Sequence, residues 1–245
     1  TSIANLRRKY SDADDDDAFS SLRSSYQTVR FDTFHQLLFP QTFFGWLSVV
    51  PRIGYRGTYY ADGARSTWDE VYETFEYQGL DLSENARALY QKADGGAFFR
   101  SVFNVGVEAS FKFSKEWEHV QSRGWGLDGL RHIVQPYTNF SYVHTDREPT
   151  GILQFDRLNP STQIPPLDFP QFTTIDSIAD WTIWRLGVRT RWQPRRDNRT
   201  INWLVLDTFF DINIDNPRFP GSNVGGSLSN LFNRLSFYPL PWASL

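Results

Sequence analysis

The chain of 245 residues contains no cysteine and no methionine. Without cysteine there is no disulfide framework within these residues, and the absence says little about compartment. A run of about 18 apolar residues is also missing and mean hydropathy is −0.47, which excludes a helical membrane protein. It does not exclude a β-barrel, whose channel-facing residues dilute the apolar signal. Lysine is scarce: Lys9, Lys92, Lys112 and Lys115 stand among 25 basic residues, the rest being arginine. A net charge of −3 and a pI near 5.8 give no reason to expect nucleic acid as a partner. No basic segment followed by an apolar core reads as a signal peptide. Together with the missing initiator and a final PLPWASL that breaks off as a strand starts, this leads us to expect an internal stretch of a longer protein.

What the chain has in excess is aromatics, at 17%, and strict two-residue alternation. Gly45 to Tyr60 reads GWLSVVPRIGYRGTYY. Side chains on a strand alternate faces. One face therefore carries Leu47, Val49, Pro51, Ile53, Tyr55 and Tyr59, and the other Ser48, Arg52, Arg56 and Thr58. The segment is too long for an ordinary half-buried strand of about 5–6 residues. It fits a transmembrane strand with lipid on one side and water on the other. The alternation recurs at 98–114, 130–143, 182–192 and 202–214, and more weakly at 2–10, 28–39 and 226–238. Seven or eight strands are expected, with a ninth beginning at Pro241.

The connections sort into short ones, at 40–44, 195–199 and 239–241, and long ones, at 11–26, 61–97, 145–180 and 215–225. They alternate along the chain, except that 115–129 is longer than its class. Outer-membrane barrels alternate short periplasmic turns with long outer loops in this way. The expected fold is therefore all-β, an antiparallel transmembrane β-barrel segment spanning 1–245 as one partial domain. Within the long connections, Leu80 to Ala93 reads as a short helix after the N-cap Ser83. Residues 145–180 read as an irregular loop, and the acidic run Asp12 to Asp17 as a solvated one.

Candidate chemistry is sparse. None of His35, His119, His132 and His144 lies in a nucleophile or metal motif, and no two have ligand spacing, so neither an enzyme, a metal nor a cofactor is expected. His132 reads as a packing or interface residue. Asp207 and Asp211 share a strand face, but four residues on a strand is about 13 Å, too far for a glycosidase pair. The arginines carry the stronger signal: Arg52, Arg56, Arg100, Arg131, Arg185, Arg189 and Arg191 all fall on the polar faces. Either they pair with Glu108, Asp207 and Asp211 across neighbouring strands, or they line a channel for phosphorylated or carboxylated ligands. Trp46, Tyr59, Tyr60, Trp192 and Trp203 are candidates for interface girdles.

Four segments together resemble the LptD family of lipopolysaccharide-assembly proteins of the outer membrane, also called organic solvent tolerance proteins. They are FHQLLFPQTFFGWLSVVPRIGYRGTYY (34–60), GLRHIVQPYTNFSYV (129–143), RLGVRTRWQPRR with INWLVLDTFFDIN (185–213), and NRLSFYPLPWASL at the end. Arg131, His132 and Pro136 match that family's R-H-x-x-x-P pattern. The resemblance implies an internal part of a very large barrel, without the family's periplasmic jellyroll domain or its cysteines. It implies a translocon component in the cell outer membrane that assembles lipopolysaccharide into the outer leaflet through a polar lumen. Outer-membrane lipid and an LptE-like lipoprotein that plugs the lumen are the implied partners. The alternatives are a general channel or receptor barrel and a soluble carbohydrate-binding sandwich.

Overall fold

The structure is a computed structural model, and it describes residues 1–9, 25–66, 91–93, 95–122, 124, 127–147, 149–156, 167, 175–196, 199–215, 228–229 and 231–238. It is all β. The strands are β1 (Ser2–Arg8), β2 (Tyr26–Leu38), β3 (Gln41–Phe43), β4 (Leu47–Tyr60), β5 (Ala64–Ser66), β6 (Gln91–Ala93), β7 (Phe98–Ser110), β8 (Phe113–Ser122), β9 (Leu127–Thr145), β10 (Trp181–Arg196), β11 (Arg199–Thr200), β12 (Leu204–Asp215) and β13 (Phe232–Phe237). Two 3-10 turns, Pro149–Gly151 and Ile175–Ser177, lie in the β9–β10 connection.

The main sheet runs β1-β2-β4-β7-β9-β10-β12-β13, an antiparallel meander in which chain neighbours are spatial neighbours. Among the described residues β1 and β13 are its two edges and do not pair with each other. The meander puts the β1–β2, β4–β7, β9–β10 and β12–β13 connections, all the long ones, at one end of the sheet. The exception at 115–129 disappears. Those residues continue the ladder as β8, which ends at Ser122, and β9, which begins at Leu127.

Two prolines explain why two long strands are broken. β7 and β8 keep one register against β9, from Ser110↔Tyr137 to Phe113↔Val134, yet the ladder lapses between them. The lapse faces Pro136, which has no N–H to donate and only accepts, from Phe111 N at 3.3 Å. On the other side β2 and β3 share a register against β4 but part at Phe39–Pro40, where Phe39 N donates to Pro51 O at 2.9 Å. The chain then reverses through Phe44 and Gly45, with φ of 55° and 74°, closed by Trp46 N on Phe43 O at 3.2 Å. The short connection expected at 40–44 is thus a two-residue turn of the type whose twist suits hairpins.

The alternation read from sequence becomes two unlike faces. One face is covered and largely polar: Thr28, Arg30, Asp32, Arg52, Arg56, Thr58, Arg100, Asn104, Asn139, Ser141, Arg185 and Asp211 are buried on it. The opposite face is open and apolar, exposing Ile53, Tyr59, Phe99, Phe103, Val105, Val107, Tyr142, Trp184 and Val188 on four adjacent strands. The Asp12–Asp17 run, residues 80–90 of the expected helix and the strand expected from Pro241 lie outside the described residues. The last three residues of that helix, Gln91–Ala93, pair as β6 with β5.

Candidate functional site

The covered face has two tiers. Nearer the long connections, Arg52, Arg56 and Arg100 are almost wholly buried, at 3%, 1% and 0% exposure. Arg56 faces Asp32 of β2 at 3.4 Å, its guanidinium lying over the Phe34 ring. Thr58 donates to the same carboxylate at 2.8 Å. Arg185 grips Asp211 with a two-pronged bond, 2.7 and 3.0 Å, and stacks over Phe209. Charges this dry persist only when paired and hydrogen-bonded.

The other partners come from the 146–180 connection, which folds back onto the covered face. Arg30, on β2, donates to Asp176 at 2.7 Å and to Asp156 at 3.1 Å. The Tyr60 hydroxyl donates to Asp176 at 2.7 Å, and Phe155 N–H reaches its other oxygen at 3.0 Å. Arg100 donates to the carbonyls of Ile175 (2.8 Å) and Ile178, and to Thr145 Oγ1 at 3.0 Å. Arg52 bonds Asn139 Oδ1 at 2.7 Å and the carbonyls of Phe140 and Leu167 at 3.0 and 3.2 Å. Arg8 and Tyr26 both donate to Gln154 O at 2.7 Å. Inside the connection the Gln154 amide bridges the carbonyls of Pro149, Ile152 and Asp176, each at 3.1 Å. Its apolar residues bury with it. Leu167 and Ile178 join Val102, Val143, Trp181 and Ile183 in one cluster. Burial, then the neighbouring Asp156, push the Asp176 carboxyl above the usual carboxylate range, against the pull of Arg30, Tyr60 and Phe155 N–H.

The second tier, nearer the short turns, is less covered. Arg189 pairs with Asp207 at 2.8 Å, and Tyr137 donates to Asp207 at 3.0 Å. Arg191 donates to Gln135 at 2.7 Å. Tyr137 lies flat across Gly187, its register partner, where an added Cβ would come within 2.4 Å of the ring. Gly106 opens the same kind of space for Arg52, at 2.5 Å from the guanidinium. Glycine is needed at both places because a neighbouring side chain fills the volume of its missing one.

All seven candidate arginines therefore fall on that face of the sheet, but Arg131, opposite Gln193 of β10, lies at its uncovered end, exposed and paired at 3.3 Å with exposed Glu116. Asp211 and Asp207 are partners of Arg185 and Arg189, as expected from the strand faces. Asp32, Asp156, Asp176 and Arg30 are partners that the sequence reading missed. Tyr60, expected in a girdle, instead points inward with 0% exposure, while Tyr59 beside it is 41% exposed on the apolar face. Trp46 is exposed near the short-turn end and contacts Phe44 and Phe111. Trp192 stacks on His132, which lies beside Trp117 on the apolar face, and Trp203 packs on Phe237. His132 is thus a packing residue, and Pro136 a ladder breaker. Comparison with known proteins adds no assignment: no family model matches this sequence, and no curated protein matches it.

Proposed function

We propose that this chain is part of an outer-membrane β-barrel that assembles lipopolysaccharide into the outer leaflet, passing it along an arginine-lined lumen. The observation that carries the membrane half is the inverted sheet. Its buried face holds Arg52, Arg56, Arg100 and Arg185, and its exposed face holds Ile53, Phe99, Phe103, Val105 and Trp184. A water-soluble sheet does the reverse, since completing the burial of each such apolar side chain is worth up to about 1.5–3 kcal/mol. On β7 the exposed apolar positions run from Phe99 to Val107, nine residues, within the roughly 9–11 that a tilted strand needs to cross a bilayer.

The lipopolysaccharide half is supported by the LptD-like segments and by arginine as the chosen cation, whose fork suits phosphate and carboxylate. The same resemblance supports an LptE-like lipoprotein as partner. No local hydrolysis is needed: the substrate moves along the lumen and leaves laterally, driven from the periplasmic side. Depletion of the protein from cells tests this. Loss of surface lipopolysaccharide with gain of solvent sensitivity is expected. Normal surface lipopolysaccharide with reduced solute uptake would replace this reading by a general channel. A folded, monodisperse protein in detergent-free buffer would replace both by a soluble sandwich.

A further inference from the structure

Two kinds of arginine share the covered face. Arg56, Arg185 and Arg189 meet carboxylates carried by the adjacent strand, Asp32, Asp211 and Asp207, so their partners are set by the ladder itself. Arg30 and Arg100 are different. Among the described residues Arg30 makes its ion pairs only with Asp156 and Asp176, and Arg100 takes its carbonyl acceptors from Ile175 and Ile178. All four residues belong to the 146–180 connection. The backbone bonds shown within that connection close its own turns, Ile152 N on Pro149 O and Ile178 N on Ile175 O. Apart from its two ends, where Asp146 bonds Ser101 and Asp180 accepts from Thr145 N, what holds it to the strands is side-chain donation from the sheet, together with the apolar cluster around Leu167 and Ile178.

We propose that Arg30 and Arg100, with Tyr60 on the strand between them, form a binding site for phosphate-bearing ligands that the protein's own β9–β10 connection occupies at rest. Asp156, Asp176 and the two carbonyls supply the acceptor oxygens that a ligand's phosphates supply after the connection is displaced. The chemistry matches on three counts. Both arginines offer several N–H donors, which suit phosphate oxygens better than single carbonyls. β2 and β7 are two strand spacings apart, roughly 10 Å, which suits two separate anionic groups. The Tyr60 hydroxyl already donates to an acidic oxygen, Oδ1 of Asp176, at 2.7 Å. The site deepens the lumen proposed above and rests on that reading for its membrane setting. Its phosphate chemistry stands without it.

The connection is removable by design of the sheet. β9 and β10 pair directly up to Trp181↔Val143, so a four-residue Gly-Ser linker in place of 148–178 closes the hairpin without moving a strand. The probe is inorganic pyrophosphate, titrated by calorimetry onto the protein in detergent micelles. The intact protein should bind it weakly, and binding should make the 146–180 connection more open to protease. The linker variant should bind about tenfold or more tightly, and Arg30→Gln with Arg100→Gln in that background should abolish the gain. A folded linker variant that binds no better than the intact protein would overturn the proposal. So would binding that survives loss of both arginines. Where the linker variant does not fold, the intact protein decides: protease protection of the connection unchanged at saturating pyrophosphate overturns the site. Vesicles containing phosphatidic acid distinguish the source of the phosphate. Opening by vesicles alone assigns the site to a lipid headgroup, opening by both assigns it to phosphate generally, and opening by neither removes it. Arginine-dependent pyrophosphate binding in a protein whose depletion leaves surface lipopolysaccharide normal would end the assembly reading and leave this site standing.

Discussion

Replacing Asp211 with alanine should cost far more stability than replacing Asp207, although the two are chemically the same pair on the same two strands. Arg185↔Asp211 and Arg189↔Asp207 are both direct register partners of β10 and β12, four residues apart. Both guanidiniums lie over an aromatic ring, Phe209 and Tyr137 respectively. The main difference is burial: side-chain exposures are 10% and 6% in the first pair, 43% and 15% in the second. Removing Asp211 leaves a buried guanidinium without its counter-charge, which costs about 3–5 kcal/mol. Removing Asp207 leaves Arg189 to water. The loss is then a screened pair of about 0.2–1 kcal/mol plus the Tyr137 hydrogen bond, worth about 1 kcal/mol.

The assay is urea unfolding in detergent micelles, followed by tryptophan fluorescence, on Asp211→Ala, Asp207→Ala and the pair Arg185→Leu with Asp211→Leu. The double replacement should recover most of the loss, because two apolar groups of similar size in a buried slot are close to neutral against an ion pair. Equal costs for the two alanine variants would refute the argument, since burial would then not govern these pairs. A double variant no more stable than Asp211→Ala alone would refute it too.

Three further outcomes are expected. Gly187→Val should destabilise the sheet by about 1–3 kcal/mol, because its side chain would enter the Tyr137 ring. Adding Tyr137→Ala should return part of that loss in the same unfolding assay. Brominated lipid should quench Trp184, which is exposed on the apolar face, and spare Trp181, which is buried on the covered one. Trp184→Phe should lower the quenched fraction of the fluorescence and Trp181→Phe should not; the reverse would dismiss the membrane reading. The docked connection should respond to pH through Asp176, which faces Arg30, Tyr60, Arg100 and Asp156. Its carboxyl is raised in the docked state, so its contribution is full below the ordinary aspartate value, about pH 4, and is lost as pH rises through the raised one. Protease cleavage within 146–180 should therefore increase as pH rises from about 4 through that raised value, and Asp176→Asn should flatten the profile.

The strands were readable because side-chain alternation is local. Arg52, Arg56 and Thr58 must share a face if Ile53, Tyr55 and Tyr59 share the other, whatever the rest of the chain does. The same parity assigns Tyr60 to the arginine face, and its pairing with a second tyrosine as a surface aromatic ignored that. Arg30 was also accessible, since Thr28, Arg30 and Asp32 alternate in the weaker strand at 28–39. The docking of the 146–180 connection was not. Its Pro, Thr and Asp content reads as a solvated loop, and which strand residues receive Asp176 or Gln154 O depends on contacts more than a hundred residues away. The one local hint is apolar: Ile152, Leu153, Leu167, Ile175 and Ile178 are too many greasy side chains for a segment that stays in water.

The resident connection also sets a condition on anything that replaces it. Arg30 and Arg100 lie in a region where Thr58, Tyr60 and Asn104 are equally dry, so each donor released from the connection must find another acceptor or water. An apolar chain entering this face would leave those donors unmet, at about 1–3 kcal/mol each. A ligand rich in phosphate and hydroxyl oxygens would meet them one for one. On the site proposed above, selectivity at this tier would follow from acceptor count. The less covered tier at Arg189, Arg191 and Gln135 would act earlier, where a ligand coming from the short-turn end first meets half-exposed cations.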